Sequence, residues 1–307
     1  MHPFRFGVMA SWAESAEEWI ALARRVEELG YATLLVTDHL GRQLSPIAAL
    51  TAAALATTRL RVGSYVLAND YRHPLMLARE AATLDLLSGG RLELGLGAGW
   101  KTGDYRMLGL PYDQPPLRVD RLAEALPLVS RLLSGETVDH QGPHYRLGGA
   151  SVFPRPVQQP RPPIVVGAGG PRMLRLAARE ADIVAMQPQF DPRGRPMIRQ
   201  ATGAATARKV ATLREAAGPR FERLELNVIV ADAGLVGSGR PARESLFTAG
   251  KALATGLVGT PYVLYGTLGG LRDQLLRRRD RLGISYYALP RRSMEAMAPL
   301  VAELTGR

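Results

Sequence analysis

The chain has 307 residues, enough to bury a large core, and it contains no cysteine, which excludes disulfides and thiolate chemistry. Hydrophobic residues make up 46% and charged residues 22%, and every apolar run is strand-sized, well short of the roughly 20 residues that span a bilayer. The formal charge of +11, from 39 Lys+Arg against 28 Asp+Glu, favours anionic ligands.

No signal peptide is expected at residues 1–6, and the expected location is the cytoplasm. The first predicted strand is 4–10. A helix follows, with Ser15 as N-cap, Glu18 completing an S-x-x-E capping box and Gly30 as its stop. Trp19, Ala23, Val26 and Leu29 recur at helical spacing, so that face is core. Strand 33–37 runs into Asp38-His39, and Ser45-Pro46 starts the next helix. Strand 60–67, helix 74–87 and strand 92–96 complete four strand–helix alternations in about 100 residues. The pattern resumes with strand 164–167, a helix from Arg172 and strand 182–186. It ends with strand 224–230, helix 268–282 and strand 284–289. Parallel pairing through right-handed crossovers follows. Eight strands favour a closed α/β (β/α)8 TIM barrel, forming one domain over 1–307, above an open doubly wound sheet.

Residues 101–162 read as an insertion between strands 4 and 5, holding a helix at 117–133 and a hairpin at 138–147. The stretches 188–200 and 232–242 are rich in Gly, Pro and Arg and read as loops over the active site, where this fold gathers its chemistry. Substrate choice is assigned to loops 101–116, 186–200 and 232–260. The run Arg277, Arg278, Arg279 and Arg281 falls on a helix and reads as a solvated face, so no nucleic-acid partner is expected.

Asp38 and His39 close a barrel strand at the mouth, where a carboxylate accepts hydrogen bonds from a heterocycle and an imidazole moves protons near neutral pH. The bland alternative is a strand-end pair capping the next loop. Gly97-Ala98-Gly99 and Gly167-Ala168-Gly169-Gly170 permit close backbone approach to a ligand, or serve only as tight turns. The second precedes a helix whose amides and dipole suit a phosphate, with Arg172 adding charge. Neither matches a dinucleotide or P-loop pattern. His140 and His144 lack a carboxylate cluster, so no metal is expected, and His73 reads as structural. Trp19 is core, whereas Trp100 is placed to wall a planar ligand.

These segments together resemble the luciferase-like monooxygenase superfamily. The resemblance rests on Thr37-Asp38-His39-Leu40, on Arg72-His73-Pro74 and on the run L-D-L-L-S-G-G-R-L-E-L-G-L-G-A-G-W at 84–100. Further matches are Gly142-Pro143-His144-Tyr145, the segment 154–158, the segment 163–170, and a last helix and strand at 266–287. The resemblance implies a barrel that holds a ring system at its C-terminal mouth. It implies a non-prolyl cis peptide in the third strand behind the ring, at Tyr65-Val66, and a phosphate on Gly169-Gly170. Ala98, Gly99, Gly167, Ala168 and Met186 complete the expected cofactor contacts, with Met9, Trp12 and Trp100 lining an apolar substrate pocket.

Within that group the chain looks nearest to enzymes using coenzyme F420, an 8-hydroxy-5-deazaflavin with an acidic tail that suits the basic excess. Hydride transfer to or from an imine, an enone or another activated double bond is then expected. His39 would supply the proton, and Asp38 would fix the ring or orient His39. Trp100 stands where sugar-phosphate dehydrogenases of the group carry a glutamate, which argues against that substrate. An FMN-dependent monooxygenase and a cofactor-binding protein without turnover are the alternatives. Relatives are often homodimers.

Overall fold

The computed structural model describes residues 1–189, 197–236 and 260–307. Eight parallel strands close into the expected barrel. They are β1 (Arg5–Met9), β2 (Thr33–Val36), a third strand in two pieces, β3 (Arg61–Ser64) and β4 (Leu67–Ala68), then β5 (Leu92–Gly97). The second half consists of β8 (Ile164–Ala168), β9 (Ile183–Met186), β10 (Glu225–Ile229) and β13 (Ile284–Pro290). The ladder runs β3-β2-β1-β13-β10-β9-β8-β5-β4, and pairing of β3 with β5 closes the ring. Strand 60–67 of the sequence reading is therefore interrupted. Its two pieces flank Tyr65-Val66, whose peptide is cis, as the resemblance implies.

The helices are α1 (Ala16–Glu28), α2 (Pro46–Ala56), α3 (Pro74–Leu87), α4 (Thr102–Leu108), α5 (Pro115–Leu133), α6 (Pro171–Glu180), α7 (Gly203–Ala217), α8 (Leu268–Leu282) and α9 (Met294–Leu304). Ser15 caps α1 by accepting from the Glu18 amide at 3.2 Å. Glu18 reaches back one residue further than the box requires, to the Glu14 amide at 2.7 Å. Trp19 is buried and donates to Ala49 O at 2.8 Å, locking α1 onto α2. Ser45 occupies the cap position of α2 but makes no side-chain cap bond. Helix α5 packs between α3 and α6, so it is the barrel's own fourth helix. The additions within 101–162 are α4 and the antiparallel hairpin β6 (Val138–Gln141) and β7 (Arg146–Ala150).

Three expectations are corrected. Residues 232–235 are not loop: β11 (Asp232–Leu235) pairs in parallel with β12 (Val263–Gly266), while 237–242 lie outside the described residues. Helices α4, α7 and α9 were not anticipated. The arginine run on α8 is not simply a solvated face, because Arg278 is buried and donates to Thr260 O at 2.6 Å. Arg279 also lies over the Phe4 ring at 4.3 Å.

The barrel interior is layered. At the N-terminal end, Arg5 bridges Glu93 at 2.6 Å and Glu225 at 2.9 Å, and Arg61 reaches Glu93 at 2.8 Å. Burial opposes charge on both sides, yet Arg5 and Arg61 hold the Glu93 carboxyl below its ordinary range, and Glu93 and Glu225 hold Arg5 charged. Above this ionic floor lies an apolar layer of Leu35, Val165, Ile183, Ala185, Tyr286 and Ala288, with Met9 and Tyr65 against it. The opposite faces of the strands, including Phe4, Phe6 and Val8, pack under the helices.

Strand β5 shows why its glycines are needed. A Cβ on Gly95 would lie 2.0 Å from Ser64 O and 2.9 Å from Val66 Cγ1, and one on Gly97 would lie 2.7 Å from Val66 Cγ2. Gly95→Ala is therefore predicted to cost about 3 kcal/mol or more, as overpacking against backbone does. Gly103→Ala, with open space around its Cβ, is predicted to leave the melting temperature unchanged or raised. Thermal denaturation of the two variants checks the contrast.

Lys209 on α7 is buried, and its ammonium donates to Gln187 O at 2.8 Å, Gln200 O at 3.0 Å and the Tyr262 hydroxyl at 3.2 Å. No carboxylate faces it among the described residues, and burial pushes its pKa down to about 8. Above that pH the folded chain has shed a proton that the unfolded chain keeps until about 10.4, so stability rises with pH across this window. Urea unfolding at pH 7 and pH 10 is predicted to show wild type gaining on Lys209→Met by up to about 3 kcal/mol. A pH-independent difference would contradict the burial of a protonated lysine.

Candidate functional site

The chain leaving β2 gives three consecutive residues three different attachments. Thr37 joins the end of β1, its Oγ1 lying 2.7 Å from Ser11 Oγ, and it donates to Gln43 Oε1 at 2.9 Å. Asp38 turns to the third strand: its carboxylate accepts from Arg72 at 2.7 and 3.2 Å and from the Ala68 amide at 3.1 Å. His39 turns to α4, where its Nδ1 lies 2.7 Å from Asp104 Oδ2. Trp100 meets the imidazole edge-on, with ring centroids 5.2 Å apart.

This geometry corrects one of the two roles expected of Asp38, the orienting of His39. Its two oxygens are occupied in tying the ends of β2 and β4 together, and the carboxylate that orients His39 is Asp104. Nothing in the spacing marked Asp104, which lies 65 residues away in the first turn of an unanticipated helix. Asp104 is itself 1% exposed, and Lys101 reaches its other oxygen at 3.1 Å. Two neighbours fix that helix. Tyr105 donates to Asp70 at 2.9 Å, and buried Arg118 holds the turn after β5 by donating to Gly99 O and to Asp113 O at 3.0 Å. Gly99 has φ +73°, and its missing Cβ leaves the space the Tyr105 hydroxyl fills.

The second glycine turn follows β8. The first turn of α6 has Gly170 as N-cap with no side-chain cap bond and Pro171 at its start, so the next amides are not capped by a side chain. Packing explains part of the glycine requirement: a Cβ on Gly169 would meet Gln187 O at 3.1 Å and Pro188 O at 3.2 Å. Arg172 does not point its charge at this turn. It pairs with Asp120 and donates to Pro116 O at 3.1 Å on α5. Met186 and Ala168 are fully buried in the cluster between strands and helices, so their side chains do not line the mouth. Alternation along the strand explains this, since Ala185 is the inward neighbour.

Met9 packs against the interior layer. Trp12 is half exposed between Arg42 at 5.3 Å and Arg291 at 5.5 Å. Tyr65 donates to Asn227 Oδ1 at 2.6 Å, while the buried Asn227 Nδ2 has no protein partner. His73 accepts from the Leu75 amide as a helix cap, as its structural reading required. His140 pairs with Glu124 at 2.9 Å, and no group of metal-ligating residues occurs among the described residues. A cleft of about 340 Å³ lies outside the third strand's end, between Tyr71, Arg72, Arg121 and Tyr145.

Fold and site together define a parallel (β/α)8 barrel with aromatic rings, a held histidine and an uncapped helix start gathered at its C-terminal mouth. The family model for luciferase-like monooxygenases matches residues 1–228, and the chain belongs to that family. It is 34% identical over 189 residues to an F420-dependent glucose-6-phosphate dehydrogenase of Microbacterium testaceum, a match covering 59% of this chain and 55% of the relative. The chain thus spans just over half the length of that curated relative. Its fold is shared with the F420-dependent tetrahydromethanopterin reductase of Methanopyrus kandleri, at TM-score 0.74, 19% identity and 99% and 100% coverage of the two chains. A monooxygenase from Streptomyces bottropensis gives TM-score 0.75 at 23% identity, covering 97% of this chain and 99% of its own. Among the described residues, no helix is long and apolar enough to cross a membrane.

Asp38→Asn is predicted to lower stability by about 1.5–3 kcal/mol, the loss expected when a charge-assisted hydrogen bond goes. Chemical denaturation measures it, and an unchanged midpoint would show that the Arg72 pair is dispensable.

Proposed function

We propose that this chain is an oxidoreductase using coenzyme F420, transferring a hydride between the deazaflavin and a small organic molecule. The observation that carries the reading is His39, held by a buried carboxylate beside Trp100 at the rim of a glycine-walled barrel mouth. The named activities of the relatives and the +11 charge, suited to an acidic cofactor tail, support it.

The residues present fit such a group. Gly95, Gly97 and Gly167 leave the room that Val66 occupies, and Val66 stands over all three as an apolar backstop. Asn227 Nδ2 is a buried donor awaiting an acceptor. The uncapped start of α6 suits a phosphate. Backbone at Val66, at Ala98-Gly99 and at 167–170, with Tyr65 beneath, would hold the ring and its tail. When bound, the deazaflavin supplies a carbon that accepts or releases hydride.

The chain's own residues do the rest. His39 Nδ1 is committed to Asp104, which leaves Nε2 to give or take the proton that accompanies hydride transfer. Met9, Trp12 and Trp100 confine an apolar substrate and exclude water. Asp38 acts as a brace between strand ends. Imines, enones and other activated double bonds remain the proposed substrate class, with a proton delivered from Nε2 of the imidazolium form of His39.

The family match supports a second reading, an FMN-dependent monooxygenase. Titration of the purified protein with F420 and, separately, with FMN distinguishes the two. The proposal predicts F420 affinity on the order of micromolar, weakened by salt, and much weaker FMN binding. His39→Ala is predicted to keep F420 affinity within about threefold and to reduce turnover by about 10²–10⁴. Preference for FMN would move the chemistry to oxygen. Tight F420 binding with no hydride transfer to any substrate would make the chain a cofactor-binding protein.

A further inference from the structure

We propose that Asp104 is a positioning residue that fixes His39 as the Nδ1–H tautomer, so that proton transfer at the mouth runs through Nε2 alone. The inference rests on the reading of His39 as the proton-transfer residue. A carboxylate only accepts hydrogen bonds, so an oxygen 2.7 Å from Nδ1 requires the proton on that nitrogen. In the neutral ring the lone pair then lies on Nε2.

Several contacts make this arrangement specific. The His39 amide donates to Gln43 Oε1 at 3.3 Å, which fixes the backbone from which the ring projects. The edge of Trp100 restricts rotation of the ring from the side. Asp104 is 1% exposed, and Lys101 at 3.1 Å occupies its second oxygen, so the carboxylate cannot turn away from His39 without losing one of its two donors. Asp104 and Tyr105 share one short helix, of which Lys101 is the N-cap residue, and Tyr105 anchors that helix to Asp70. The neighbouring carboxylate, Asp38, is held by Arg72 and is not available as a substitute.

The first test is ¹⁵N NMR of the His39 ring in the cofactor-free protein, at a pH where the imidazole is neutral. Wild type is predicted to show a protonated Nδ1 and an unprotonated Nε2. Asp104→Asn is predicted to shift the ring toward the Nε2–H form. The same variant should lower kcat by about 10²–10⁴, the range seen when a histidine loses its orienting carboxylate, with KM and F420 affinity within about threefold. Asp104→Glu should recover part of the rate and the wild-type tautomer. A merely structural ion pair would lower the melting temperature and leave tautomer and kcat unmoved. That result, or an Nε2–H ring in wild type, overturns the proposal. The wild-type spectrum decides even if the variant fails to fold. Because it needs no cofactor, it also separates an error about Asp104 from an error about F420.

Discussion

The mouth of this barrel depends on the diversion of the third strand at Tyr65-Val66. The diversion sends the Val66 side chain into the wall formed by β5 and β8, where Gly95, Gly97 and Gly167 leave room for it. A side chain at Gly95 would meet the Ser64 carbonyl and the valine, and one at Gly97 would meet the valine. The same diversion carries Tyr65 across the interior to Asn227 and brings Ala68 to the Asp38 carboxylate. One local constraint thus sets the backstop of the site, its floor and the brace between its strand ends.

Charge is distributed by burial. The ionic cluster of Arg5, Arg61, Glu93 and Glu225 fills the closed end of the barrel, where each guanidinium has a carboxylate partner and removing one partner would strand the other. At the open end the charges are arranged as braces: Asp38 with Arg72, Asp70 with Arg121, and Asp104 with Lys101 and His39. Among these mouth groups, His39 combines a titratable ring with partial exposure and a fixed orientation. The net charge of +11 is therefore an average over structural arginines such as Arg278 and surface ones.

Much of the fold was legible because periodicity and glycine stops are local signals. The barrel strands, the cap at Ser15 and the helix 74–87 were read from neighbouring residues. Helices α4, α7 and α9 were not read: α4 is only seven residues long, and the apolar spacing of α7 and α9 was passed over after the loop-like stretch 188–200 and the last strand. The site was half legible. His39 and Trp100 stood out at strand ends, but Asp104 joins His39 only through the fold, and no spacing announces a partner 65 residues distant. The adjacent Asp38 was the natural choice and the wrong one, because Arg72 claims it. Met186 was misplaced by a single position: in a strand, one step moves a side chain from the mouth wall to the helix layer. The glycines of 97–99 read as places for a ligand, whereas their first side-chain neighbours are Val66 and Tyr105.

The central claim is that the ring of a deazaflavin rests in the barrel mouth against Val66 with His39 on its substrate side. A crystal structure of the protein with oxidised F420 tests it most directly. The account predicts the tricyclic ring against Val66, its phosphate at the start of α6, and His39 Nε2 facing the reactive edge. A ring bound instead in the cleft between Tyr71, Arg121 and Tyr145, or a mouth left empty at saturating F420, would contradict it.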